Sequence, residues 1–205
     1  MKIFFFLFLF SIPTLSGQKI VKKSILNQDI TTIQIDASNC YSIEIKTKPV
    51  KEILVEAKLD GEYSNDLVVN IKEEDTIINI ETGFQPIFIN PNDKLSAHKV
   101  VSIALDISMP QYKNVKLYGT NTRVTAKGSY ENLTVILSDG TCEIINVLQD
   151  VQIRTQSGDI LLNAISGDVY AKSKYGIVNH NPIPKGLTTY NLNTITGNII
   201  LNKIE

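Results

Sequence analysis

The sequence has no tryptophan, only two cysteines and only two histidines in 205 residues. So few cysteines exclude a small disulfide-stapled scaffold and a cysteine-rich zinc site. His98 and His180 have no catalytic motif around them, so a Ser-His-Asp arrangement has no poised base. CxxC, HExxH, phosphate-loop and dinucleotide motifs are also absent, and nothing indicates a cofactor. We therefore assign no catalytic, cofactor-binding or metal-binding residue.

An excess of charge of one sign is also missing. The chain contains 20 basic and 21 acidic residues, for a net charge of -1. Removing the first 17 residues would remove Lys2 alone, which leaves 19 basic residues against 21 acidic ones, or minus two. A nucleic-acid partner is therefore not expected, because such proteins carry a basic face.

A hydrophobic run long enough to span a membrane is absent as well. Lys2 precedes a short apolar run at 3–10, which Ser11 and Pro13 interrupt. A retained anchor would need about 20 apolar residues. The pattern instead predicts a signal peptide at residues 1–17, cut near Ser16 or Gly17. No cysteine follows the run to carry a lipid. We expect an exported bacterial protein of the periplasm or cell surface, with no membrane span in its mature form.

What the second half of the chain does have is a repeat. Apolar residues recur every 18 positions, and after 21 before the last row. The three apolar columns are Leu117, Val135, Ile153, Ala171, Leu192; Val115, Leu133, Val151, Val169, Tyr190; and Val124, Cys142, Ile160, Val178, Ile199. A fourth column marks turns, with Thr122, Gly140, Gly158, Gly176 and Gly197.

This spacing predicts stacked strands. Apolar and polar residues alternate within each unit, as in a strand, and a fixed period near 20 residues is typical of a solenoid. We expect residues 111–205 to form a short right-handed parallel β-helix-like solenoid of about 18 residues per coil, stacked in sequence order. Glycine is expected at the corners because it adopts positive φ at low cost. The extra three residues should form an outward loop between Val178 and Tyr190.

The apolar–polar pattern of residues 18–110 predicts further strands and no clear helix. Alternation predicts a hairpin over 30–45, a strand at 53–59 for which a helix is the alternative, a hairpin over 67–80 and a long strand at 101–107. The segment 83–98 predicts a loop whose aromatic residues pack on the body or line a cleft. We expect an all-β protein in which an antiparallel N-terminal β region caps the solenoid, and the two form one continuous domain.

Polar residues also form a column. Asn114, Asn132, Asp150 and Asp168 are 18 residues apart, directly before the strands. Two stacked carboxylates about 5 Å apart could bind calcium or act as an acid and base on a sugar. Asn and Asp also favour turns through bonds to nearby backbone, and we prefer this role for the column. Asp139 and Asp159, which flank the glycines in SDG and SGD, are interpreted in the same way.

Two cysteines in an exported protein could form a disulfide. Cys142, however, lies in an apolar column between Val124 and Ile160. A thiol there behaves as a small hydrophobic group. We therefore predict that Cys40 and Cys142 remain unpaired.

Three stretches, QSGDILLNAISGDVYAKSKYG, VSIALDISMP and YENLTVILSDGTC, resemble the auto-transporter adhesin head-domain family, also called the head GIN domain family. The resemblance covers roughly Ile30 to Leu201 and implies an exported, coil-like all-β protein that acts in adhesion or protein contacts. It transfers no catalytic residue. The leading hypothesis is a non-enzymatic envelope module whose partner is a surface protein or glycan. The alternative is a polysaccharide-active enzyme or carbohydrate-binding protein.

Overall fold

The computed structural model describes residues 18–88, 101–179 and 181–205. The predicted signal peptide, both histidines and most of the predicted loop at 83–98 lie outside these residues. The described elements are strands and one 3₁₀ turn at Ser64–Asp66, so the protein is all-β as predicted. The strands are β1 Lys19–Ile25, β2 Thr32–Asp36, β3 Ser42–Lys48, β4 Ile53–Gly61, β5 Leu67–Glu74, β6 Ile77–Phe84, β7 Val101–Pro110, β8 Asn114–Gly119, β9 Arg123–Leu137, β10 Cys142–Thr155, β11 Ile160–Ala164, β12 Asp168–Ser173, β13 Val178–Asn179, β14 Thr189–Thr194 and β15 Ile199–Lys203.

The strands form one 15-stranded sheet that curls into a nearly closed, barrel-like shape. Row A runs β5-β6-β2-β8-β9-β10-β14-β12, and row B runs β1-β4-β7-β3-β9-β10-β11-β15-β13. Pairing is antiparallel at one end of the rows, between β5 and β6 and among β1, β4 and β7. It is parallel everywhere else along the described rows. We call one pass of the chain through both rows a rung.

The bends in β9 and β10 allow these strands to belong to both rows. Gly128 has φ +107, and Asn146 and Gln149 also have positive φ. The pairing of β9 with β10 shifts register at the same places, between Ile145 and Val147 and again after Leu148. Such irregularities bend a strand. Each long strand can therefore finish one rung in row B and begin the next in row A.

The core lies between the two rows and follows the predicted apolar columns. Side chains on successive strands are in register and buried, and one column contains Ile35, Leu117, Val135, Ile153 and Leu192. Two buried tyrosines find backbone acceptors within this core. Tyr130 donates its hydroxyl to Ile45 O at 3.0 Å, and Tyr190 donates to Val147 O at 2.5 Å. Because the polar end of each ring is satisfied, both rings contribute their apolar area to the core.

The predicted stacking in sequence order is wrong for the last two rungs. Strand β14 lies between β10 and β12, and β15 lies between β11 and β13. Strands β12 and β13 come earlier in the chain but form the outermost rung. The chain then passes through the loop predicted between Val178 and Tyr190, and β14 and β15 form the rung inside it. The inner rung carries the larger side chains, Tyr190, Leu192 and Leu201, all buried. The outer rung carries only half-buried Val169, Ala171 and Val178. This order buries more apolar surface than the sequential one.

The hairpin predicted over 30–45 is also wrong. Strands β2 and β3 do not pair with each other: β2 is parallel to β6 and β8, and β3 is parallel to β7 and β9. The five residues 37–41 carry the chain across from row A to row B, as the corners of the later repeats do. The hairpin over 67–80 and the strands at 53–59 and 101–107 are confirmed by β5 with β6, β4 and β7. The parallel stack therefore begins well before residue 111.

The corner glycines are needed for a different reason from the one predicted. Their φ angles are not positive. Positive φ among the described glycines occurs at Gly61, Gly128 and Gly167 instead. A Cβ on Gly158 would lie 1.6 Å from Gly140 O, and one on Gly140 would lie 2.1 Å from Thr122 O. The column is therefore glycine because backbone stacks directly on backbone.

Thr122 fits at the start of this column because its side chain points into the preceding corner. Its hydroxyl lies within hydrogen-bond distance of Ala37 O at 2.9 Å and of Cys40 O at 2.8 Å. Further along the stack, Thr155 donates to Gly158 O at 2.5 Å, and Ser173 donates to Gly197 O at 2.8 Å. Hydroxyls three residues before a glycine thus satisfy buried corner carbonyls, which would be costly to leave unpaired.

Candidate functional surfaces

The polar column of the sequence does not form a carboxylate pair. Asn132 donates to Asn114 Oδ1 at 2.7 Å, as neighbours in a ladder would. Asp150, however, pairs with Thr189, and Thr189 pairs with Asp168. The inserted strand β14 therefore separates the backbones of the two aspartates by two strand spacings, about 9.6 Å. The expected separation of about 5 Å between Asp150 and Asp168 is wrong. The calcium and acid-base hypotheses, which required adjacent carboxylates, therefore lose their structural basis. The residues that the structure describes contain no group of three or more His, Cys, Asp or Glu suited to a metal ion.

The two aspartates beside the glycines link neighbouring turns. Asp159 Oδ1 accepts from the backbone N of Asn198 at 2.7 Å, and Asp139 accepts from the hydroxyl of Ser157. Both bonds join a corner to the neighbouring corner in the stack. Asp139 and Asp159 therefore lie at turns as expected, but they bond across rungs instead of to their own nearby backbone.

The two cysteines lie in different rungs as free, buried thiols. Strand β9 lies between β3, which follows Cys40, and β10, which begins at Cys142. Two strand spacings amount to about 9.6 Å, beyond the Cα separation of about 7 Å that a disulfide allows. Burial raises the pKa of Cys40 to about 11 and also raises the pKa of Cys142. Both thiols therefore stay protonated and unreactive at neutral pH.

A mixed-charge surface covers the outer side of row B near the antiparallel end, and sequence reasoning missed it. We call this surface the charged face: Lys22, Glu44, Lys46, Glu56, Asp106 and Lys127. Three of its carboxylates are directly opposite one another on adjacent strands, since Asp106 pairs with both Glu56 and Glu44. Alternating charges in β3 and β4 are visible in the sequence, but their convergence depends on register, which the sequence does not reveal.

Each carboxylate of the charged face has its own lysine. Lys22 lies 2.9 Å from Glu56, Lys46 lies 2.6 Å from Asp106, and Lys127 lies 3.3 Å from Glu44. The acids therefore serve as ion-pair partners and hydrogen-bond acceptors on a solvated sheet.

An open depression of about 280 Å³ lies beside these charges and is lined by Tyr41, Arg123 and Lys58 as well as the three acids. The Tyr41 side chain is 56% exposed. This arrangement offers a ring face, donors and acceptors to a flexible polar ligand. It does not enclose one.

Aromatic residues at the start of the predicted covering loop pack against one another. The rings of Phe84 and Phe88 stack at 4.3 Å with an interplanar angle of 11°, and Tyr63 meets Phe88 edge-on at 5.2 Å. Such pairs favour packing of the loop over lining of a cleft. Ile87 next to them remains 83% exposed.

The far end of the stack is the second open surface. Strand β12 pairs only with β14 among the described strands. On its other edge, Gly167 N, directly before the strand, donates to Pro184 O at 2.8 Å. A depression of about 410 Å³ lies between the start of β12 and the segment from Asn181 to Lys185. Stacking in sequence order would place the uncovered end at the last rung, β14 and β15. It lies at β12 because the last rung folds inward.

Neither a protein-family model nor a curated protein matches the sequence. Among solved structures, a "putative cell adhesion protein" from Clostridium sporogenes superposes with a TM-score of 0.65 at 14% identity, covering 92% of this chain and 100% of that one. A "putative adhesin" from Bacteroides fragilis covers 92% of this chain and 98% of its own at 10% identity, but its TM-score of 0.33 carries no argument. The similarity to the Clostridium sporogenes protein shows a shared fold.

Proposed function

We propose that this chain is an exported, non-enzymatic interaction module of the bacterial cell envelope or surface, adhesion-like in role. The charged face is the observation that carries the proposal. Its three carboxylates are each paired with a lysine at 2.6 to 3.3 Å, and they lie on a solvated sheet surface. A surface of fixed, balanced charges suits recognition of a protein or glycan rather than bond cleavage.

The scaffold that we propose is a short right-handed parallel β-helix-like solenoid, with residues 18–110 and 111–205 in one continuous domain. Support comes from the succession of parallel rungs in both rows and from a core that runs without interruption from Ile25 to Leu201. Solenoids of this kind present long, regular outer faces to their partners.

Export and an envelope location rest on the basic start and short apolar run at residues 1–17. The family resemblance and the printed name of the Clostridium sporogenes protein are consistent with adhesion at a surface. Among the described residues, no helix is long and apolar enough to cross a membrane. N-terminal sequencing of protein recovered from the envelope tests this part: a start near Gln18 is expected, and an intact Met1 would contradict it.

A carbohydrate-binding role is the second candidate. It is favoured by the exposed ring of Tyr41 beside Arg123 and the acids at the charged-face depression. Sugars commonly use a ring face together with polar groups, and this depression supplies both. The glycan would then be the envelope ligand rather than a substrate.

Binding of the purified chain to isolated envelopes of its host tests the proposal. The variant with Glu44→Gln, Glu56→Gln and Asp106→Asn removes the negative charges and keeps their shapes. Lys116→Gln with Arg154→Gln on the outer side of row A is the matched control. We expect the charged-face variant to lose about tenfold or more in affinity and the control to keep its affinity. Equal binding by all three would overturn the proposal, and release of reducing sugar ends by the unmodified chain would favour the enzyme.

A further inference from the structure

The free edge of β12 presents backbone groups for pairing. On the paired side, Asp168 N donates to Thr188 O at 2.8 Å, and Lys174 N donates to Thr194 O at 3.1 Å. The even-numbered residues therefore direct their backbone groups towards β14. Successive residues of a strand point these groups to opposite sides. The N–H and C=O groups of Val169 and Ala171 consequently face outwards, where the structure places no neighbouring strand among its described residues. Gly167 N also faces outwards but donates to Pro184 O at 2.8 Å, so the open part of the edge begins at Asp168.

The side chains of β12 are complementary to their own reversed order. Asp168, Tyr170 and Lys172 are exposed on the outer side, and Val169 and Ala171 are half-buried on the inner side. Consider a second copy of β12 laid antiparallel along this edge, with the two-fold axis at Tyr170. Asp168 then faces Lys172 of the second copy, and Val169 faces Ala171. Two opposite-charge pairs result, and the inner apolar layer continues across the junction.

We propose that this chain self-associates through β12, edge to edge and antiparallel, with two-fold symmetry about Tyr170. The outward backbone groups of Val169 and Ala171 form the hydrogen-bonded pairs, and the two Tyr170 residues form the intervening pair without hydrogen bonds. The occupant is a second copy rather than an unrelated strand because the charge pattern of β12 matches its own reverse. The inference does not depend on the proposed envelope role.

The structure also indicates the strength of this contact. Strand β12 has six residues, so the junction buries less than the roughly 1,200 Å² of a stable interface. Pairing in this register ends at Asp168 and Lys172, because the outward N–H of Gly167 is already bonded to Pro184 O at 2.8 Å. We expect a weak, concentration-dependent dimer that forms most readily where many copies are held together on a surface.

Charge reversal tests the register. Lys172→Asp places an aspartate opposite Asp168 of the second copy. Asp168→Lys places a lysine opposite Lys172 of the second copy. Because of the two-fold symmetry, each like-charge pair occurs twice in a dimer. Each single variant should weaken self-association about tenfold in sedimentation equilibrium. The double variant restores both opposite-charge pairs and should regain the original affinity. A monomeric parent at every concentration, or a double variant as weak as the single ones, would overturn the proposal.

Cross-linking provides an independent test. In the proposed register, the two Tyr170 Cα atoms are about 4.5 Å apart, within the range of a disulfide. Tyr170→Cys should therefore give a covalent dimer under mild oxidation. Tyr118 is 43% exposed on a strand inside the same row. The control variant Tyr118→Cys should therefore give far less covalent dimer. Buried Cys40 and Cys142 do not compete. Equal cross-linking by both variants would exclude pairing at β12.

Discussion

The two ends of the stack differ in how their edges are finished. At the antiparallel end, Lys23 of β1 donates to Val69 O at 2.7 Å, and Lys19 donates to Leu67 O at 3.1 Å. These lysines occupy outer carbonyls of the edge strand β5, which is a common protection against edge pairing. At the opposite end, no side chain among the described residues does the same for β12. One end of the molecule is closed by its own charges. At the other end Pro184 O occupies Gly167 N, but the outward backbone groups of Val169 and Ala171 have no partner strand among the described residues.

The largest expected difference in stability is between a substitution in the middle of the stack and one at its open end. Ile153 lies fully buried between Val135 and Leu192, so Ile153→Asp loses about 1.5 to 3 kcal/mol of apolar burial and adds an unpaired buried charge. Against a total stability of about 5 to 15 kcal/mol, this should unfold the protein. Ala171→Asp, at the half-buried end of the same column, should cost about 1 kcal/mol.

Thermal unfolding monitored by circular dichroism measures both variants. A cooperative transition for Ala171→Asp with a collapsed signal for Ile153→Asp is the expected outcome. If Ile153→Asp melted like the parent, the register of the core column would be wrong.

The next effect concerns backbone contacts at the corners. A Cβ at Gly158 meets Gly140 O at 1.6 Å between two fixed rungs, so Gly158→Ala should destabilise the protein by about 3 kcal/mol or more. A Cβ at Gly176 meets Gly197 O at 2.0 Å, but the outermost rung has no further strand on its other side, among the strands that the structure describes, to prevent a shift. Gly176→Ala should therefore cost less.

Gly83→Ala is the control for this series, because its nearest neighbour, Asn39 Nδ2, is 4.0 Å away. Chemical denaturation of the three variants gives their free energies of unfolding. We expect the order Gly158, Gly176, Gly83 from most to least destabilised. Equal losses at Gly158 and Gly176 would show that the open end is as rigid as the middle.

The sequence predicts those features of the fold that follow from its periodicity. Alternation and the 18-residue spacing predict the strands, the buried columns and the corner positions, because burial on one face imposes that pattern. They do not predict the order of the last two rungs, since both rungs carry the same apolar pattern and either could pair with β10. The size of Tyr190 against that of Val169 is the physical difference that favours the observed order.

The charged face and the edge of β12 were missed for a related reason. Glu44, Glu56 and Asp106 are far apart in the sequence, and only the pairing of β3, β4 and β7 brings them together. The free edge arises from the rung order, which the repeat left undetermined. The hypothesis of stacked Asp150 and Asp168 failed for the same reason.

A smaller effect is expected from opening the closed end. Lys19→Ser with Lys23→Ser removes hydrogen bonds to the β5 edge worth about 1 kcal/mol each, so the melting temperature should fall by a few degrees. Exposure of the β5 edge should also promote association, visible as new high-mass species in light scattering. Lys22→Ser is the control on the same strand because Lys22 pairs with Glu56 instead. Association of the control to the same extent would argue against edge protection by Lys19 and Lys23.

The smallest effect is expected from Asp150→Asn combined with Asp168→Asn. Thr189 lies between these residues in the ladder, so their backbones are about 9.6 Å apart, and the two aspartates are not the stacked neighbours from which the calcium hypothesis started. Both side chains are exposed, and asparagine already occupies the equivalent positions at Asn114 and Asn132. The double variant should therefore melt within about 1 °C of the parent, as surface substitutions commonly do, with or without calcium. A loss of several degrees confined to calcium-containing buffer would instead mean that a metal ion binds this column, and that β14 does not separate the two carboxylates in solution.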